Sequence, residues 1–307
     1  MQNDGDLLID RKRLKQRLTV WRALAIIAVI GAAAIYIGRF DTKTGSAGRD
    51  YIAMISVEGV MGDDKDREEM LKDILEDDRA KALLVRLDSP GGTAMGGEEL
   101  YLQLKKISGK KPVVGVMRTL CASACYMAAM GTDHVIAREG TLTGSIGVML
   151  QSAEFSRLAD KLGITPITIK SGRFKDAPSM TEPFADDQRE VVQEVVMDAY
   201  DHFVRVIMEG RNMPEARVRE LADGRIYTGN QAVKLKLIDG LGGQDEAVAW
   251  LVKSKKISAD LKVREIKAEP EIDSLFKKLA GMVGANIFGK SMVGLDGLVS
   301  IWHPSLQ

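Results

Sequence analysis

A chain of 307 residues with a formal net charge of +0 and a hydrophobic fraction of 45% has ordinary globular composition and no global field to attract nucleic acid. Its two cysteines and three histidines exclude a disulfide framework and leave no ligand set with zinc spacing. Residues 1–17 are polar, with Arg11, Lys12, Arg13, Lys15 and Arg17 in their second half. Leu18 to Gly38 is then apolar except for Thr19, Arg22 and the interfacial types Trp21 and Tyr36. As a helix this run would span roughly 30 Å, the thickness of a bilayer core. The basic flank precedes it, so the positive-inside rule places the N-terminus in the cytoplasm and everything after residue 39 outside. A cleaved signal peptide is the competing reading, since Ala32-Ala33-Ala34 supplies small residues. The apolar run continues past that point through Ile35–Gly38, which favours an uncleaved anchor.

Residues 39–50 form a linker rich in small and polar types. Beyond it, short apolar runs alternate with helical spacing. Tyr51–Val57, Ala82–Leu87, Pro112–Met117, His134–Ala137 and Pro166–Ile169 read as buried strands. Asp66–Asp77, Glu98–Ile107, Phe155–Leu162, Pro214–Leu221 and Gly229–Leu235 read as helices, and Asp186–Gly210 as a long amphipathic one. Alternation of this kind predicts an α/β fold with parallel pairing. From about Lys255 the pattern weakens. Val263–Lys267 reads as a further strand and Ile272–Phe288 as a weakly amphipathic helix, within a C-terminal extension covering 255–307.

Chemistry concentrates in three stretches. Thr119–Tyr126 joins an apolar strand to a run of small residues, and places Ser123 at a strand-to-helix corner. Such a serine is either an N-cap or a hydroxyl aimed into a cleft. As a nucleophile it needs a base. His134, His202 and His303 have no triad setting, and Thr143-Gly-Ser-Ile-Gly147 only approaches a nucleophile-elbow motif. A lysine is the alternative, and shifting a lysine from about 10.4 to near neutrality costs roughly 4–5 kcal/mol of preference for the neutral form. Asp88-Ser-Pro-Gly-Gly92 follows a strand directly, and its glycines can turn N–H groups into a cleft as an oxyanion hole would require. Lys170–Pro178 is a loop holding Lys170 and Lys175. Cys121 and Cys125 read as small buried side chains. One helical turn apart they are near the geometric limit for a bond, which the spacing leaves open.

Asp88-Ser-Pro-Gly-Gly92, the Ala122-Ser123 core followed by Tyr126, Leu142-Thr-Gly-Ser-Ile-Gly-Val148 and Ser171-Gly-x-x-Lys-Asp176 occur in the order and approximate spacing of one family. Together with Asp223–Gly229 and Leu237–Gly242, they make residues 51–250 resemble the signal peptide peptidase A (SppA) family in its short form, membrane-anchored serine peptidases of the S49 type. The resemblance implies a Clp protease/crotonase-like fold for residues 51–254, with Ser123 as nucleophile and Lys175 as general base. It further implies that Ser145 orients the lysine, that Gly92 supplies the oxyanion-hole N–H with Ala124 as second donor, and that no metal or other cofactor is needed. The implied substrates are remnant signal peptides and other unfolded or membrane-released polypeptides. The implied assembly is a homo-oligomeric ring or dome of about eight subunits, with serine and lysine of one site drawn from adjacent protomers. The chain departs from the family pattern at Ala124-Cys125, where Gly-Gly or Ser-Gly is frequent. Two other classes share the architecture: a crotonase-like acyl-CoA enzyme, against which the apolar N-terminal run argues, and a non-catalytic membrane scaffold, which would tolerate loss of Ser123 or Lys175.

Overall fold

In the computed structural model, residues 49–267 are described continuously, together with Arg17, Leu18, Trp21, Arg22, Leu24, Ala25, Ile26 and the strand Val299–Ile301. The chain divides into a unit spanning Met1–Arg49 and a unit spanning Asp50–Gln307. The described residues of the predicted anchor are helical and exposed, and the rest of that span, like Ile272–Phe288 and His303, lies outside the described residues. No helix among the described residues is long and apolar enough to cross a membrane.

The sheet of the second unit grows from four apolar strands: β1 (Tyr51–Glu58), β2 (Ala80–Ser89), β4 (Val113–Ala122) and β5 (His134–Ala137). They pair in parallel, β1 with β2, β2 with β4 and β4 with β5. Three very short strands extend this core. β6 (Leu142–Gly144) lies parallel to the end of β4, β7 (Ile226–Thr228) antiparallel to β6, and β8 (Gly240–Leu241) parallel to β5. The far edge is β9 (Lys262–Glu265), parallel to β1 and drawn from beyond Lys255.

Strand residues alternate between two apolar layers, as a pleated sheet covered on both faces requires. Leu83, Val85 and Leu87 face one layer together with Leu71 and Ile74 of α1 (Lys65–Glu76), Leu100 and Leu104 of α2 (Ala94–Ser108), and α3 (Ala124–Ala129). Ala82 and Leu84 face the other, covered by Ala247 and Leu251 of α8 (Gln244–Lys255). Between these come α4 (Ser156–Lys161), α5 (Asp186–Arg211), α6 (Glu215–Leu221) and α7 (Gly229–Lys234).

The expected strand at Pro166–Ile169 does not form. Residues 164–170 have no regular structure, and Ile167 and Ile169 are 87% and 96% exposed. A strand needs a neighbour for its backbone groups, and no neighbour reaches this stretch among the described residues. The same condition extends along residues 150–178, where no residue is buried and Leu158, Leu162, Ile164 and Phe174 are exposed. It continues into α5, whose early apolar residues Val191, Val195 and Met197 are exposed while Phe203, Val204, Val206 and Ile207 enter the core.

Candidate active site

Parallel strands β2, β4 and β6 end together, and the three motif stretches meet at those carboxyl ends. β4 stops at Ala122, and Ser123 is the N-cap of α3 with φ 59° and ψ −123°. A non-glycine residue in so sparsely populated a region costs about 1–3 kcal/mol and persists only where its surroundings over-determine it. Here the Ser123 N–H donates to Gly144 O at 2.8 Å and the Met127 N–H donates to Ser123 O at 3.0 Å. The Ser123 side chain makes no cap hydrogen bond to α3, so capping does not account for this serine. It is buried, 1% exposed, at the corner.

The two cysteines are bonded. Cys121 and Cys125 form a disulfide with Cα atoms 5.2 Å apart, and both are fully buried. They are therefore not merely small core side chains. Tyr126, next in the chain, is buried and donates from its hydroxyl to Leu237 O at 2.7 Å; burial pushes its phenol well above the ordinary tyrosine range. That bond ties α3 to the Leu237–Gly242 stretch. Within that stretch Asp239 accepts from Arg211 Nη1 and Nη2 at 3.0 and 2.7 Å and from the Val135 N–H at 2.7 Å. Burial raises the Asp239 carboxyl, but the Arg211 hydrogen bonds and charge outweigh it and leave it below the usual carboxylate range.

Ser145 follows the same corner. It has φ 48° and Gly144 has φ 86°, so two successive residues turn through the left-handed region. The Ser145 N–H donates to Arg225 O at 2.8 Å. A side chain on Gly144 would meet Tyr227 Cδ2 at 2.6 Å, which reserves the position for glycine. Thr143 Oγ1 donates to Cys121 O at 2.7 Å. The Leu142–Val148 and Asp223–Gly229 motifs thus brace the nucleophile corner from one side.

The Asp88–Gly92 turn braces it from the other. Asp88 Oδ1 accepts from the Leu120 N–H at 3.1 Å across a bulge in the β2–β4 ladder. Ser89 Oγ, fully buried, donates to Gly59 O at 2.6 Å and accepts from the Gly91 N–H at 3.1 Å, while Gly91 takes φ 102°. Ser89 is a positioning residue that the sequence reading passed over; its position just before Pro-Gly-Gly was the available signal. Gly91–Thr93 then forms β3. Gly91 O accepts from the Met61 N–H, and the Thr93 N–H donates to Met61 O, at 2.8 and 2.9 Å. Since backbone groups alternate sides along a strand, the N–H of Gly92 points to the opposite edge. A side chain on Gly92 would overlap Met61 O at 1.8 Å. On that opposite edge the strand β10 (Val299–Ile301) pairs antiparallel with β3, Ser300 facing Gly92. Ala124 is fully buried against Gly97 of α2.

Gly92, Ser123, Ala124 and Ser145 therefore gather at one end of the sheet. Lys175 shares no hydrogen bond or ion pair with them among the described residues. It stands on an exposed turn with its N–H donating to Gly172 O at 3.1 Å, and it has no ion pair among the described residues. No hydrogen bond links it to Ser123, Ser145 or Gly92 among the described residues. Lys170 is engaged elsewhere, its ammonium 2.5 Å from Glu182 and 4.0 Å from Asp176. His134 stacks on Trp250 and pairs in register with Val114. From there to Ser123 the chain advances roughly 30 Å at about 3.3 Å per residue, too far for proton transfer. His202 lies 3.3 Å from Glu98.

The profile of Peptidase family S49 matches residues 105–258. A protein of Synechocystis sp. named as a protease is 40% identical over 69% of this chain and 75% of its own length. A protein of Enterococcus faecium named as signal peptide peptidase SppA is 39% identical over 74% of this chain and 70% of its own. Among solved structures, a ClpP1 variant from Listeria monocytogenes superposes with a TM-score of 0.42 at 13% identity, covering 63% of this chain and 92% of that one. The chain belongs to peptidase family S49, the signal peptide peptidase A family, and is a serine protease.

Proposed function

We propose that this protein is a membrane-anchored endopeptidase with a Ser123–Lys175 dyad, built on a Clp protease/crotonase-like domain. The supporting observation is the corner itself: Ser123 is held in a strained conformation beside a strand whose Gly92 N–H faces the edge where an extended segment, Val299–Ile301, pairs. Neutral Lys175 removes the Ser123 proton as Oγ attacks a peptide carbonyl, and Ser145 orients the amine. The Gly92 N–H, with that of Ala124, binds the oxyanion that forms. Lys175 then protonates the departing amine, and water released of its proton by the same lysine hydrolyses the acyl-enzyme. Substrate enters as an antiparallel strand added to β3, the place Val299–Ile301 takes in the present chain.

The position of Lys175 supports a shared site. A lysine base needs removal from water, and one chain leaves Lys175 exposed. The segment carrying it exposes Phe155, Leu158, Leu162, Ile164, Ile167 and Ile169, an apolar surface that a second copy of this chain covers. Docking buries that surface and carries Lys175 to the neighbour's Ser123, closing a ring of about eight subunits by repetition of one contact. The apolar run at residues 18–38, with its basic flank, anchors the ring, and the N-terminus is cytoplasmic. The catalytic domain then faces the other side of the membrane. A buried disulfide is in keeping with that compartment, since cytosolic proteins rarely hold one. Signal peptides left in the bilayer and other unfolded polypeptides are the substrates.

Two inactive variants test the whole reading. Ser123→Ala and Lys175→Ala should each lower kcat for a signal peptide by about 10⁴-fold or more, with stability moved by less than about 1 kcal/mol. Co-assembly of the two should recover activity, because some sites receive an intact serine from one copy and an intact lysine from the next. Mixed assemblies as inactive as their parents would show that each copy holds its own dyad.

A further inference from the structure

The chain contains two cysteines, and both are spent on one bond across Ser123. Cys121 belongs to the end of β4, where it pairs with Thr143 of β6 and accepts the Thr143 hydroxyl on its carbonyl. Cys125 is the second residue of α3. The bond therefore joins the penultimate residue of the strand to the first turn of the helix, with Ala122, Ser123 and Ala124 as the enclosed arc. A helix as short as Ala124–Ala129 has little stability of its own, and its N-cap side chain adds no hydrogen bond to it. The docking of α3 rests on burial spread along it, on the Tyr126 bond to Leu237 O at its third residue, and on the cysteine bond at its first turn, beside Ser123.

A disulfide stabilises a protein globally by constraining the unfolded chain, and it does so least when the loop it closes is short. The loop here encloses only Ala122, Ser123 and Ala124, so the consequence of the bond is mainly local. Both sulfurs are fully buried in the apolar layer that includes Tyr126 and Met127. Two thiols need van der Waals separation where a disulfide needs bonding distance. In a close-packed layer that extra space is found only by displacing the groups around it, and the residue between the cysteines is Ser123.

We propose that the Cys121–Cys125 disulfide is a clamp that positions Ser123 for attack, so that full peptidase activity requires this bond to be formed. Cys121 and Cys125 are positioning residues and take no part in the reaction. The inference rests on Ser123 being the nucleophile. Formation of the clamp transfers two electrons, with two protons, from the cysteine thiols to a disulfide oxidant, which becomes a dithiol. Reduction by dithiothreitol is the reverse exchange and leaves the reagent as its cyclic disulfide. A chain with reduced cysteines would be held at low activity until it reached an oxidising compartment.

The test uses the full chain in its assembled form. Wild type is compared oxidised, reduced with dithiothreitol, and reoxidised, next to a Cys121→Ala/Cys125→Ala variant. Thiols are counted by alkylation and mass, and Ser123 reactivity is read as the rate of fluorophosphonate labelling. Peptide hydrolysis gives kcat and KM, and circular dichroism reports the fold. Reduction should slow labelling and kcat by roughly 100-fold, the cost of a displacement of about 1 Å in a reacting group, with KM changed by less than about twofold. Reoxidation should restore both. The double variant should match the reduced enzyme and ignore dithiothreitol. Two alkylated cysteines with labelling within about twofold of the oxidised rate would overturn the clamp, whether or not the melting temperature falls. Loss of fold on reduction and in the double variant would overturn it too, since the bond would then be a general staple. Oxidised wild type that is never labelled at Ser123 would remove the nucleophile assignment itself, an outcome distinct from failure of the clamp alone.

Discussion

The corner at Ser123 and the arm that carries Lys175 are built on opposite terms. Around Ser123, each constraint is met inside the chain: two ladders, a disulfide, the Ser89 turn and the Tyr126 anchor all act on a few residues. Along residues 150–178, nothing is buried and the isoleucines face solvent. Strain can be stored at the first because its surroundings are closely packed. The second has the composition of a core with no core to enter. A site shared between copies, as proposed above, would account for a finished corner and an uncovered arm in one chain.

The comparison is broken most severely at Gly92. A methyl there would overlap Met61 O, a backbone atom that no rotamer change can move. Gly92→Ala must shift β3, and with it the N–H assigned to the oxyanion. Loss of one such donor typically costs about 10²–10³ in kcat, and that is the expected fall, read in steady-state hydrolysis with assembly intact by sedimentation. Unchanged kcat would mean that the oxyanion is held elsewhere.

How much of this was legible beforehand follows from range. The strands β1, β2, β4 and β5 are continuous apolar runs, and reading them needs only local sequence. β3, β6, β7 and β8 are two or three residues long, defined by distant partners, and their sequences carry no period to detect. Pro166–Ile169 shows the converse. Its local pattern is that of a strand, and among the described residues it has no neighbour to pair with. In the site, Ser123 and Gly92 were visible as a hydroxyl at a corner and a glycine-rich turn, while Ser145 was marked only by the family resemblance. Ser89 was not, because its task is a buried hydrogen bond to a turn 30 residues away. Nor was the disulfide, since a spacing of four says nothing about whether the first cysteine ends a strand.

The second intervention acts on the finished half without touching its chemistry. The Arg211 side chain is 9% exposed and Asp239 is its acidic partner. Asp239→Asn leaves a buried guanidinium unpaired, at an expected cost of about 3–5 kcal/mol in denaturant unfolding. The pH dependence has a definite sign. Asp239 is depressed in the folded state, so its contribution is present above the unfolded carboxyl's ordinary value of about 3.9. It is lost as pH falls through the lower folded value. Wild type should therefore lose stability on acidification below about pH 4 more steeply than Asp239→Asn. Equal slopes would show that the Arg211–Asp239 pair carries no linkage.

The mildest substitution for the single chain is the most informative about the arm. Ile167 and Ile169 are almost fully exposed, so Ile167→Asp/Ile169→Asp should move the stability of the chain by less than about 0.5 kcal/mol. If a second copy covers this surface, the same two carboxylates are buried without partners at every contact, and the assembly should dissociate. Sedimentation would then find single copies with a native circular dichroism spectrum. Their Ser123 should still react with a fluorophosphonate, more slowly for want of the neighbouring lysine, while peptide hydrolysis is lost. Single copies that hydrolyse peptide at the wild-type rate would mean that the arm folds back to serve its own serine. The exposed isoleucines would then line a substrate path rather than an interface. An intact ring carrying both aspartates would place the contact on another surface of the chain, and the separation of corner and arm would have to be explained within one subunit.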